Sequence, residues 1–143
     1  YISNETHNKM SRSKVMKNDV LLNITGASIG RCAMYNIDDE ANVNQHVAII
    51  RVLRDKISPH FLTTIINDSY IQNHINRVQA GGSREALNYA QIKQFEIPLP
   101  PLSIQQEIVA QIEAEQEMVN ANKKLIEIYE QKIKDKVGEV WGD

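Results

Sequence analysis

Pro98, Pro100 and Pro101 fall within four positions, and after them no proline or glycine interrupts the chain until Gly138. Proline lacks a backbone N–H and clashes with the preceding helical turn, so Ile97–Leu102 is held extended. Ser103 follows as an N-cap candidate. The chain therefore divides into a compact part over residues 1–102, a rigid joint, and one helix over residues 103–143. That helix is too long for a small globular domain. A chain of this plan holds one thing at a set distance from another.

Within the helix, Ile112, Val119, Ile126, Ile133 and Val140 recur every seven residues. Ile108 and Tyr129 take the second apolar heptad position, which Glu115 and Asn122 also occupy. This is the seam of a short coiled coil whose polar insertions fix its register. At 1.5 Å per residue, Ile104 to Val140 spans roughly 55 Å.

Composition narrows the class. Hydrophobic residues make 42% of the 143 and charged residues 24%, which argues against disorder. One cysteine, Cys32, excludes an internal disulfide and fits a reducing cytoplasm. No apolar run approaches the ~18 residues of a membrane span. The net charge of −2 hides an asymmetry: residues 1–102 carry 11 Lys and Arg against 9 Asp and Glu, and residues 103–143 carry 5 against 9. So weak a positive excess does not by itself point to nucleic acid, and an acidic helix is ill suited to lie along phosphates. The start Tyr1-Ile2-Ser3-Asn4 has neither Met nor a signal peptide, as expected of a piece of a longer polypeptide.

The compact part reads as α+β. Residues 4–17 are polar and give a short helix or loop. Asp19–Thr25 is a buried strand, Gly26–Gly30 a turn bracketed by glycines, and Arg31–Tyr35 the returning strand of a hairpin. Asp38-Asp39-Glu40 is a solvated loop, and His46–Leu53 the clearest strand. Ser58-Pro59 opens a helix whose apolar face is Phe61, Leu62, Ile65, Ile66, Ile71 and Ile75. Gly81–Arg84 is a loop, Tyr89–Phe95 a short helix, and Glu96–Leu99 a closing strand.

Three segments in order carry a resemblance. They are Gly26-Ala27-Ser28-Ile29-Gly30-Arg31-Cys32-Ala33, then Asn44-Gln45-His46-Val47-Ala48-Ile49-Ile50-Arg51, then Ile97-Pro98-Leu99-Pro100-Pro101-Leu102 with Gln105-Gln106-Glu107-Ile108. In this order and spacing they resemble the specificity subunit of type I restriction–modification enzymes. The strand Asp19–Leu22, Gly81–Ser83, Leu87 and Ile92-Lys93 fit that pattern too. The resemblance implies the latter part of a target recognition domain, then a spacer helix pairing in an antiparallel coiled coil. It further implies reading of one half of a split site in double-stranded DNA, and docking of methyltransferase subunits. The restriction subunit is reached indirectly. The helix partner is then a second recognition domain's helix or a second copy of the chain. The first strands of the recognition domain are expected before Tyr1.

Candidate DNA contacts each have a plainer reading. The glycines of the Gly26–Gly30 turn suit hairpin geometry, with Arg31 or Ser28 on phosphate as the alternative. Asn44, Gln45 and His46 either cap a loop or present an amide to adenine. Gly82, Ser83 and Arg84 form either an ordinary loop or one whose N–H groups and guanidinium meet DNA. Lys9, Arg12, Lys14 and Lys17 are the densest basic cluster, set either as a solvated face or against the DNA backbone. Helix pairing falls to Ile108, Ile112, Val119, Ile126, Tyr129 and Ile133.

Catalysis finds no support. Cys32 with His46 or His60 could be imagined as a nucleophile pair, but a cysteine in an apolar strand reads as a structural thiol. His7, His46, His60 and His74 lack metal-ligand spacing, and neither a phosphate loop nor a dinucleotide fingerprint occurs. The expectation is a non-enzymatic, cytoplasmic DNA-specificity module without a cofactor, metal or membrane segment. Two alternatives remain: the recognition region of a fused restriction–methylation polypeptide, and a coiled-coil adaptor whose head binds protein.

Overall fold

The computed structural model describes residues 3, 5, 9–80 and 86–142. They form two compact units, the first reaching Gln106 and the second beginning at Glu107. The first contains strands β1 (Lys14–Val15), β2 (Val20–Asn23), β3 (Cys32–Met34), β4 (Ala41–Asn42) and β5 (Val47–Ile50). Helices α1 (Pro59–Asn67), α2 (Ser69–Ala80) and α3 (Tyr89–Ile92) follow, and α4 runs from Leu102 to Trp141.

The aliphatic run after Asp19 becomes the central strand β2. It pairs antiparallel with β3 on one side, Leu22 opposite Cys32, and with β5 on the other, Asn23 opposite Val47. The two-residue period of a strand sends Val20 and Leu22 to one face, where both are fully buried. There they meet Ala48, Leu62, Ile66, Ile71, Ile75 and Leu87. Full burial of each large aliphatic side chain contributes about 1.5–3 kcal/mol. Residues 11–17 are a 3₁₀ turn and the short strand β1, paired with β4 as a separate ribbon.

The β2–β3 turn has the left-handed backbone its glycines permit, φ 74° at Gly26 and 86° at Gly30. At Gly30 space matters as well: a Cβ there would lie 3.1 Å from Gln72 Oε1 and 3.2 Å from Ile75 Cδ1. A Cβ at Gly30 would therefore make Gln72 and Ile75 give way, on top of the strain of its positive φ.

Three expectations need correction. The apolar stripe from Phe61 to Ile75 belongs to two helices, because Asp68 adopts extended backbone (φ −66°, ψ 150°) and ends α1. Its carboxylate accepts from Tyr70 N at 2.8 Å, starting α2 by capping chemistry that competes with helix continuation. Glu96–Leu99 is extended but pairs with no described strand. Pro98, Pro100 and Pro101 donate nothing to a ladder. Third, Ser103 is not the N-cap. α4 begins at Leu102, with the Pro101 carbonyl accepting from Ile104 N at 2.9 Å and Gln105 N at 3.1 Å. The helix continues past Gly138 and stops where Gly142, at φ 77°, donates back to Gly138 O.

Candidate nucleic-acid interface

Antiparallel pairing puts the β2–β3 turn and the approach to β5 at one end of the sheet. Ile24 N donates to His46 O at 2.8 Å, and Thr25 Oγ1 lies 2.6 Å from His46 Nδ1. Leu87 N donates to Ile24 O at 2.9 Å, anchoring the residue that leads into α3 at the same end. Arg31 and Gln45 are exposed there. Ser28 is occupied structurally, since its hydroxyl accepts from Asn23 Nδ2 at 2.7 Å. The Asn44 carboxamide likewise closes its own turn by accepting from His46 N at 3.0 Å. Arg31 is exposed at this corner, as is Gln45, whose Nε2 lies 3.4 Å from His46 Nε2. Gly82, Ser83 and Arg84 lie outside the described residues.

The basic cluster sits towards the other end of β2. There the buried carboxylate of Asp19 accepts from Met16 N and, through both oxygens, from Arg51. Arg51 also donates to Lys14 O at 2.7 Å, so this ion pair ties β1 to the sheet. The hydrogen bond that Arg51 donates to Asp19 raises the Arg51 pKa further above its usual range. Lys17 pairs with Asp38 at 2.5 Å and Lys9 with Glu5 at 2.5 Å, all at the surface. Lys14 is half-buried and Arg12 exposed. The structure thus separates Arg31 and Gln45 from Lys14 and Lys17 instead of gathering them into one patch.

Cys32 is half-buried at the free edge of β3. The Asn67 side chain completes that edge, its Oδ1 accepting from Cys32 N at 3.1 Å and its Nδ2 donating to Cys32 O at 2.8 Å. Burial pushes the thiol up to about 12, only partly opposed by a hydrogen bond with Thr63. It stays protonated at neutral pH and is no nucleophile. Among the described residues no cluster of three or more His, Cys, Asp or Glu could hold a metal ion. No described helix is long and apolar enough to cross a membrane.

Two features escape a reading of the sequence. Gln105 is fully buried, accepting from Ser58 N at 2.8 Å and donating to Lys56 O and Pro100 O, each at 2.8 Å. It fastens the first turn of α4 to the proline segment and to the loop before α1. A pointer lay in the sequence: consecutive prolines leave carbonyls without matching N–H groups, and a nearby amide is the natural donor. The second is the outer side of α2, where Tyr70, Asn73, Asn76 and Arg77 line one shallow depression.

In the second unit, Ile112, Val119, Ile126, Tyr129 and Ile133 are all exposed, between 42% and 62%. Glu115, within the seam, accepts from Gln111 at 3.0 Å, and Lys132 lies 5.3 Å from the Tyr129 ring.

The α+β unit carries a glycine-bracketed hairpin and leads through a proline segment into a long helix. Residues 2–131 match the family described as "Type I restriction modification DNA specificity domain", and the chain belongs to that family. It is 35% identical over 112 residues to the "Type I restriction enzyme EcoBI specificity subunit" of Escherichia coli, covering 78% of this chain and 23% of that one. A solved structure titled "Structural basis underlying complex assembly and conformational transition of the type I R-M system" shares the fold. Its TM-score is 0.62 at 24% identity, over 78% of this chain and 26% of that one. The chain thus spans about a quarter of each relative, 23% and 26%.

Proposed function

We propose that this chain reads one half of a split site in duplex DNA and directs methyltransferase and restriction subunits to it in the cytoplasm. Residues 1–102 act as the latter part of the recognition domain and residues 103–143 as the spacer. Arg31 and Gln45 meet DNA at the β2–β3 corner, with Gly82, Ser83 and Arg84 in the loop before Leu87. Arg12 and Lys14 contribute attraction to phosphate, a sequence-independent term. The helix pairs antiparallel with another, from the same polypeptide or a second copy, through Ile108, Ile112, Val119, Ile126, Tyr129 and Ile133. It thereby sets the distance between half-sites.

The observation that carries this reading is a small α+β unit followed by a 40-residue helix on which Ile112, Val119, Ile126, Tyr129 and Ile133 are exposed, with Ile108 half-buried. DNA protection mapping on the assembled complex tests it. Deleting seven residues between Ile112 and Ile126 keeps the seam in phase and removes about 10 Å of helix. The protected half-sites then move closer. An active deletion variant with an unchanged gap defeats the ruler, and absence of any specific footprint defeats the DNA reading.

A further inference from the structure

The helix α2, Ser69–Ala80, contains no Asp or Glu, although α4 alone carries eight of the chain's 18. Its inner side is spent on the fold: Ile71 and Ile75 are 2% and 0% exposed, and Gln72 Nε2 donates to Gly30 O and Ile66 O. Its outer side presents Tyr70, Asn73, Asn76 and Arg77, all exposed. The spacings Tyr70 to Asn73, Asn73 to Asn76 and Asn73 to Arg77 are three or four residues, which places them on one stripe.

Two observations mark this stripe as a surface for a polyanion. Asparagine is a poor helix former, because its side chain competes for backbone bonds. Both carboxamides are nonetheless exposed along the depression, and Arg77 Nε donates to Asn73 O at 3.3 Å, which holds the guanidinium beside them. Second, from Asn73 to Arg77 the stripe carries a cation and no carboxylate within a net acidic chain, the Asp68 cap lying at its Tyr70 end. That removes the repulsion phosphates would otherwise meet. Carboxamides pair bidentately with adenine N6 and N7, guanidinium with guanine O6 and N7, and one helix fits the major groove.

We infer that α2 is a DNA-reading helix, with Asn73, Asn76 and Arg77 on base edges in the major groove. This rests on the DNA-specificity reading above. It adds specificity-determining residues on a rigid element, held by the buried Ile71–Ile75 side and by the Asp68 cap.

The test is selection from randomised duplexes, then anisotropy titrations, with the native polypeptide in its complex. Asn73→Ala and Asn76→Ala raise helix propensity, so folding is not at risk, and Arg77→Lys keeps the charge while losing the bidentate fork. The expected result is loss of base preference at positions within one half-site. Affinity for the preferred duplex falls about tenfold or more per variant, while the Asn variants keep their affinity for unrelated DNA and their salt slope. A double Asn variant that selects the parent's sequence with the parent's affinity overturns the inference and leaves the DNA reading intact. Retained preference with lost methyltransferase co-purification also overturns it, making the stripe a protein-docking face. A parent with no base preference overturns both readings.

Discussion

Gln105 and Ile133 stand on the same helix in inverted surroundings. The amide is fully buried with three hydrogen bonds at 2.8 Å, whereas the isoleucine is 62% exposed. The first unit hides polar groups it can satisfy, Gln105 and Asp19 among them, around a closed aliphatic core. The second displays apolar side chains with nothing of its own to cover them, up to 80% exposed at Trp141. An isolated helix draws only tenths of a kcal/mol from each i,i+4 contact, such as Gln116–Asn120 or Gln131–Asp135. The first unit encloses an aliphatic core of its own, whereas α4 leaves the apolar side chains of the proposed seam exposed.

The sharpest way to break that contrast is to charge the stripe. Ile126→Asp with Ile133→Asp removes two large side chains from the proposed seam, each worth about 1.5–3 kcal/mol when buried. Helix-mediated association of the native polypeptide weakens more than a hundredfold, measured by analytical ultracentrifugation. The thermal unfolding of the first unit stays put, because both positions are exposed. A fall in that transition would show that the two units are not independently completed.

Gln105 is the reciprocal case. Gln105→Ala strands one N–H, of Ser58, and two carbonyls, of Lys56 and Pro100, in a part-buried joint. The expected cost is about 2–4 kcal/mol. For a unit of this size the midpoint falls by roughly 10–20 °C. Gln106→Ala, one residue away and exposed, leaves the midpoint within about 2 °C and serves as the control. Equal effects from both would mean that burial at Gln105 does not hold the joint.

The same contrast explains what a reader of the sequence can see. Strands β2, β3 and β5 are legible because aliphatic and β-branched runs leave a two-residue signature, and the Gly26–Gly30 turn because left-handed backbone selects glycine. The heptad of α4 is legible as a period. The break at Asp68 is not, because Phe61, Leu62, Ile65, Ile66, Ile71 and Ile75 maintain one stripe across it. Only the capping-type run Asn67-Asp68-Ser69 betrays the change. Gln105 is hidden for a different reason: glutamine in an acidic helix reads as solvated, and its burial follows from long-range partners 47 and 49 residues away. The outer side of α2 is overlooked because its signal is the absence of carboxylates, whereas Arg12, Lys14 and Arg84 announce themselves by charge.

The smallest effect tests whether the first unit is closed even at its edge. Cys32 lies on the outer strand, where Asn67 takes the place of a neighbouring strand and burial lifts the thiol to about 12. The folded pKa lies above the unfolded one, so folding favours the protonated thiol. The resulting stability is complete below the unfolded value near 8.5 and is lost as pH rises towards the folded value. At neutral pH, Cys32→Ser therefore changes nothing through ionisation, and alkaline unfolding sets in at lower pH than it would with an open thiol. Alkylation reports the same quantity directly. At pH 8 iodoacetamide labels the native chain about a hundredfold or more slowly than the chain in denaturant, because the thiolate is that much scarcer. Asn67→Ala opens the edge and speeds labelling. Rapid labelling of the unaltered native chain would place the gap in the first unit at β3, and the division between a closed unit and an open helix would no longer hold.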